Sequence, residues 1–181
     1  MKNKLHHRFI IASLVALVFG SFVSCTPAKE ERISLASFTE NYVEVAIHLK
    51  KTSTGGHILS ATFTPPEGYH MYSKDIPITG TDGLGRPTLL ELTSDSLMKS
   101  GGTLSESVNA EVPDFGPEEL LVYPVGAVTL SLPVNLPPGN DWVEDELSIT
   151  FMACSASLCK PPVVGKIVPV RVPGAEAFAQ K

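Results

Sequence analysis

The chain is poor in cysteine, in aromatic residues and in charge. Three cysteines in 181 residues are too few for a disulfide scaffold and too few for a zinc site of four thiolates. Charged residues make up only 18% against 43% hydrophobic, and the mean hydropathy is +0.14. That balance excludes a disordered, solvating chain. There is no basic excess either. A formal charge of −5 and a pI near 5.5 exclude a nucleic-acid binder, which needs a cationic face to neutralise phosphates. No stretch carries a capped helical stripe. Beyond the N-terminus no apolar run is long enough to cross a bilayer. The length suits a single domain.

The N-terminus reads as an export signal. Lys2, Lys4 and Arg8 form a positive region, and Phe9 to Val23 then run without a charge, long enough for a signal sequence but short for a membrane span. The run ends in Gly20-Ser21-Phe22-Val23-Ser24-Cys25. Small residues before a cysteine resemble a bacterial lipobox, in which the cysteine takes a diacylglycerol group and becomes the new N-terminus. Phe22 stands where that pattern prefers Leu, and ordinary cleavage after Ala28 is the alternative. Residues 1–24 are therefore expected as a lipoprotein signal, with Cys25 as the lipidation site. Residues 25–41, polar and mixed, are expected as a tether, 42–173 as the folded domain and 174–181 as a tail. The protein is expected in the cell envelope, anchored to a membrane, where a disulfide persists.

Within the domain the dominant period is two. Val43, Val45, Ile47 and Leu49 alternate with Glu44, Ala46, His48 and Lys50, the pattern of a half-buried strand. Thr52 to Gly56 is turn chemistry and Ile58 to Phe63 its hairpin partner. Short strands are also expected at Thr88 to Leu92, Leu120 to Tyr123, Val128 to Val134, Leu147 to Met152 and Val168 to Val172. Asp82 to Val112, with Gly83, Gly85, Gly101 and Gly102, suggests long loops. Many short strands with scattered prolines predict an all-β fold, an immunoglobulin-like β-sandwich.

The chemistry concentrates in Phe151-Met152-Ala153-Cys154-Ser155-Ala156-Ser157-Leu158-Cys159-Lys160-Pro161-Pro162. If Cys25 carries lipid, Cys154 and Cys159 are the cysteines left to pair. Their spacing permits a small disulfide loop if the Cα atoms approach closely. So small a loop contributes little chain-entropy stabilisation, which suits a bond that opens and closes better than a staple. Lys160, next to Cys159, is expected to favour its thiolate, the attacking form. A passive hairpin disulfide is the alternative. A metal carrier built on Cys154, Cys159, His70 and Met71 is a third reading, but two thiolates need further ligands, and His48, His57 and His70 have no ligand spacing. No metal or organic cofactor is expected.

Ala-Cys-x4-Cys-x-Pro-Pro at the end of a penultimate strand resembles the N-terminal periplasmic domain of the thiol:disulfide interchange protein DsbD. Pro66-Glu67-Gly68-Tyr69-His70-Met71-Tyr72-Ser73-Lys74 is similar to that family's Gly-Tyr/Trp-His/Tyr-x-Tyr segment, which lies near its cysteine pair. Tyr123-Pro124-Val125-Gly126-Ala127-Val128 resembles its Tyr-x-Gly-x-Val strand entry. The resemblance spans about Val43 to Val172.

What the resemblance implies is an immunoglobulin-like electron relay. The family's domain receives two electrons from a thioredoxin-like domain and passes them to oxidised periplasmic proteins. Cys159 matches the cysteine that forms the mixed disulfide and Cys154 the one that resolves it. His70 and Tyr72 match positions beside the pair: Tyr72 shields or hydrogen-bonds a sulfur, with core packing as its alternative, while His70 is expected to be an exposed or satisfied histidine, with a base role as its alternative. Phe115, in Asp114-Phe115-Gly116, is the candidate for the aromatic cap over the cysteines. The chain ends at Lys181 without a Cys-x-x-Cys. Its donor is therefore expected in trans, a thioredoxin-like or membrane-embedded partner, with oxidised envelope proteins as acceptors. The alternative is a non-catalytic binding lipoprotein with a structural disulfide.

Overall fold

The computed structural model describes residues 32–179; the expected signal sequence and Cys25 lie outside them. Eleven strands and one short helix follow in order: β1 Arg32–Glu40, β2 Val43–Lys51, β3 His57–Thr64, β4 His70–Met71, β5 Leu89–Leu92, β6 Lys99–Ser100, β7 Ser105–Glu106, β8 Val128–Asn135, β9 Trp142–Phe151, β10 Ala153–Cys154, β11 Val163–Pro173 and α1 Ala175–Ala179. One sheet runs β1-β2-β3-β8-β6, with β7 also on β8; a second runs β11-β9-β5; β10 and β4 pair separately. Every named pairing is antiparallel. The expected all-β, immunoglobulin-like class therefore holds.

Alternation builds the core. Val43, Val45, Ile47 and Leu49 of β2 are fully buried, and their neighbours in register continue the layer across the sheet. Ile47 sits opposite Ala61, and Ala61 opposite Leu130, so a small side chain fits between two large ones. From the second sheet come Leu147, Ile149 and Phe151 of β9 with Val168, Val170 and Val172 of β11. Phe63 and Phe151 meet edge to face across the sheets, ring centroids 5.8 Å apart. Each fully buried side chain of this size is worth about 1.5–3 kcal/mol in burial.

Three boundaries differ from expectation. Residues 32–40, expected within the tether, form β1, paired to β2 along its length. Ile33, Leu35, Ala36 and Phe38 pack against the core. A register shift between Ser34 and Ala36 breaks the period of two, since the extra residue of a bulge moves the inward face by one position. The tail also folds. Phe178 of α1 is 1% exposed and lies 5.3 Å from the His57 ring. Leu120 to Tyr123 is not a strand. Isolated bridges from Val122 to Tyr72 and Glu111, and the Tyr123 N–H donating to the Met71 carbonyl at 2.8 Å, fix it as an extended segment.

The loops of 82–112 hold β5, β6 and β7. Asp145, 6% exposed, anchors them. Its Oδ2 accepts from Ser96 Oγ at 3.0 Å and from the Met98 N–H at 3.1 Å, which satisfies a buried carboxylate.

Candidate functional site

The cysteine hairpin is built by its own backbone. The Ser155 N–H donates to the Leu158 carbonyl and the Lys160 N–H to the Ala153 carbonyl, each at 2.8 Å. Between these bonds Cys154 and Cys159 face each other as a non-hydrogen-bonded antiparallel pair, the position at which strands come closest. Their Cα atoms are 4.0 Å apart and the disulfide is formed. Ser155 Oγ accepts the N–H groups of Ser157 and Leu158, a local bond typical of serine in turns. Asn41 Nδ2 donates to the Pro161 carbonyl at 2.9 Å and ties down the exit. The two sulfurs stand in different surroundings: Cys154 is 1% exposed, whereas Cys159 is exposed.

β4 lies across from the hairpin, with His70 opposite Cys154 and Met71 opposite Ala153. The next residue, Tyr72, is buried, and its hydroxyl donates to Cys154 Sγ at 3.1 Å. Its place is fixed from behind. The Tyr72 carbonyl accepts both the N–H and the Oγ1–H of Thr88, the latter at 2.7 Å. Gly85 lies flat on the ring. At φ +72°, a Cβ there would come within 2.7 Å of Tyr72 Cδ1, so both conformation and space require glycine. Arg86 clamps this loop by donating to the carbonyls of Thr79, Gly83 and Gly85. Tyr72, Ile76, Leu120, Val122 and Cys154 form a small apolar cluster of their own. Burial pushes the Tyr72 phenol above its ordinary pKa, which keeps the hydroxyl a donor.

His70 is neither exposed nor satisfied, contrary to expectation. It is 8% exposed, and its buried Nε2 has no hydrogen-bond partner. Its ring meets Tyr72 edge to face at 5.4 Å and Phe115 at 5.3 Å. Burial lowers the His70 pKa below the ordinary value, because desolvation disfavours the imidazolium. Phe115, 48% exposed, stands on the rim of a cleft of about 350 Å³. His70, Tyr72, Cys154 and Cys159 line the cleft together with Leu84 and Leu158.

Lys160 does not line the cleft. Its ammonium lies 4.1 Å from the Tyr42 ring centroid and 5.2 Å from that of Tyr69, a cation–π arrangement. Tyr42 is presented by the β1–β2 turn, whose two residues Asn41 and Tyr42 both have positive φ, as a two-residue type I′ hairpin turn requires. The charge expected beside Cys159 is thus engaged by two rings. The metal-carrier reading loses its ligand set, because Met71 is fully buried in the main core. His48 is held by Arg32 and His57 stacks on Phe178. Among the described residues no three of His, Cys, Asp or Glu gather as metal ligands.

Sequence reasoning thus named Cys154, Cys159, His70, Tyr72 and Phe115, which the fold brings together. It missed Gly85, Arg86, Thr88 and Ser155. The only local signal for the first two was the Gly83-Leu84-Gly85-Arg86-Pro87 punctuation, which marks a turn but not what the turn covers. Among the described residues no helix is long and apolar enough to cross a membrane.

A family model described as thiol:disulfide interchange protein DsbD, N-terminal, matches residues 42–169. No curated protein matches the chain. Among solved structures, the crystal structure of the Neisseria meningitidis DsbD N-terminal domain in the reduced form is similar at 20% identity and a TM-score of 0.39, covering 64% of this chain and 76% of that one.

Proposed function

The chain belongs to the family of the DsbD N-terminal domain, and from that premise we propose that it is a membrane-tethered periplasmic thiol:disulfide interchange domain. It passes electron pairs between a thioredoxin-like or membrane-embedded donor and oxidised envelope proteins. The observation that carries this reading is the asymmetry of the pair: Cys159 is exposed while Cys154 is buried under the Tyr72 hydroxyl.

The steps follow from that asymmetry. A donor thiolate attacks Cys159 Sγ, the sulfur it can reach. The bond between Cys159 and Cys154 breaks, and Cys154 leaves as a thiolate. Tyr72 O–H donates to that sulfur, and hydrogen bonds to an anion are about twice as strong as neutral ones. The donor's second thiolate then attacks its own sulfur in the mixed disulfide, releasing Cys159. The donor ends as a disulfide and the domain as a dithiol. Reduction of an acceptor disulfide runs the same steps in reverse, with Cys159 attacking and Cys154 resolving. Phe115, half exposed at the cleft mouth, acts as the cap that limits access to the pair.

Lipid at Cys25 would hold the domain near its donor by raising the effective concentration. Metabolic labelling with a fatty-acid analogue tests this, with label expected on the native chain and lost in Cys25→Ser. The exchange itself is tested by trapping. Cys154→Ser should accumulate mixed disulfides through Cys159 with thioredoxin-like proteins. No adduct from either single-cysteine variant under oxidative challenge would overturn the exchange reading and leave a binding lipoprotein with a structural disulfide.

A further inference from the structure

The exchange steps leave a proton unassigned. When the reduced domain attacks an acceptor, Cys159 becomes joined to the acceptor's sulfur, and Cys154 must then resolve the mixed disulfide. Only a thiolate does this efficiently. Cys154 is 1% exposed, so water and buffer bases have poor access to its thiol. The cleft offers few alternatives. None of its lining residues is Asp, Glu, Lys or Arg. Its titratable groups are Cys154 and Cys159 from the hairpin and His70 and Tyr72 from the segment opposite. The other lining residues, among them Phe115, Leu120 and Leu84, carry no charge. Tyr72 is already oriented as a donor to Cys154 Sγ.

His70 is the acceptor that remains. It is the direct cross-strand partner of Cys154, and side chains of such pairs lie on the same face within contact reach. Its Nε2 is buried without a partner. An unsatisfied buried polar atom is costly, so a native fold that keeps one invites a functional explanation.

We propose that His70 Nε2 accepts the thiol proton of Cys154 as that sulfur resolves the mixed disulfide. This rests on the exchange reading above and adds the base to it. In the step, the Cys154 S–H bond breaks and the proton moves to Nε2. The Cys154 sulfur forms its bond to Cys159 Sγ. The bond from Cys159 to the acceptor sulfur breaks, and the acceptor leaves as a thiolate with the electron pair. The domain is oxidised by two electrons and the acceptor reduced by two. The imidazolium then returns its proton to the departing thiolate or to water. In the opposite direction His70 first takes a proton from the donor's thiol or from water and then passes it to Cys154 as that thiolate is released. Burial lowers the His70 pKa and so favours the neutral imidazole, the form an acceptor requires.

The test is a stopped-flow reaction of the reduced full-length protein with the aromatic disulfide dithiobis(nitrobenzoate), which releases one chromophore on attack by Cys159 and a second on resolution by Cys154. His70→Gln keeps a polar side chain without a base, and His70→Phe keeps an aromatic ring against Phe115 and Tyr72. In both, the first release should stay within about twofold of wild type, and the second should slow by about a hundredfold or more near pH 7, the lower range for loss of a general base. The deficit should close as the solution pH approaches the range of a free thiol, about 8.5. In wild type the second release should fall on an acid limb that both variants lack. A second release of unchanged rate in either folded variant overturns the role of His70, as does equal slowing of both releases, which reports lost packing. If the wild-type dithiol itself gives no release, the exchange reading fails instead.

Discussion

Tyr72 and Cys154, eighty-two positions apart in sequence, meet through a hydroxyl that donates to sulfur at 3.1 Å inside an apolar cluster. The bond is worth more to a thiolate than to a disulfide sulfur, because an anion is the stronger acceptor. Tyr72→Phe should therefore raise the Cys154 thiol pKa, by roughly one unit for a lost bond of about 1.4 kcal/mol. Ultraviolet thiolate absorbance followed against pH in a Cys159→Ser background measures this. Stability of the oxidised protein should fall by only about 1 kcal/mol or less, since phenylalanine leaves no polar group unpaired. An unshifted thiol pKa would show that Tyr72 only fills space.

Gly85→Ala tests whether the position of that tyrosine depends on the loop behind it. The new methyl would lie 2.7 Å from the ring at φ +72°. Strain and overpacking should together cost about 1–3 kcal/mol, read as a lower denaturant midpoint with unchanged slope. Tyr72 should be displaced as well, so the thiol pKa of Cys154 should move in the same direction as in Tyr72→Phe.

Phe115→Ala removes a ring that is half exposed, so the thermal midpoint should barely move. The disulfide should instead react faster with a small dithiol such as dithiothreitol, because access to sulfur governs such reactions. An unchanged rate would mean that Phe115 does not shield the pair.

Acid should weaken the fold in part through His70. Its folded pKa is lowered by burial, so the unfolded chain binds the extra proton first. The stability it allows is fully present above the ordinary histidine range, about 6.5, and is lost as pH falls below that toward its folded value. His48 and His57 are lowered as well, chiefly by burial and then by Arg32 and Lys51 respectively. His70→Phe should therefore flatten, without abolishing, the fall in thermal midpoint between neutral and mildly acidic buffer. An equally steep fall in the variant would assign the dependence to the other groups.

Much of the fold was legible where burial repeats every second residue. Ile47 and Leu49 on β2 and Leu130 and Leu132 on β8 each announce an inward face. β1 was hidden because its bulge resets that rhythm between Ser34 and Ala36, and because the sequence from Lys29 to Arg32 is entirely charged. Phe178 was hidden for another reason: its burial depends on His57, far away in sequence. At the site, Cys154 and Cys159 stood out by spacing alone. Tyr72, His70 and Phe115 came from resemblance to a family, since nothing in their local pattern points to sulfur. The burial of His70 was not legible because its neighbours Phe115 and Cys154 are far away in sequence.

β1 also sets where the cysteines stand relative to a membrane. With lipid at Cys25, as proposed, the covalent leash to Arg32 reaches at most about 25 Å, not the longer span a tether up to residue 41 would have allowed. From Arg32 the nine-residue strand travels about 30 Å before turning at Asn41 and Tyr42. Those two residues touch Pro161 and Lys160, at the foot of the cysteine hairpin. With that anchor, the lipid and the cysteine hairpin would lie at opposite poles of the domain. A docking partner would meet Cys159 on the pole farthest from the anchor.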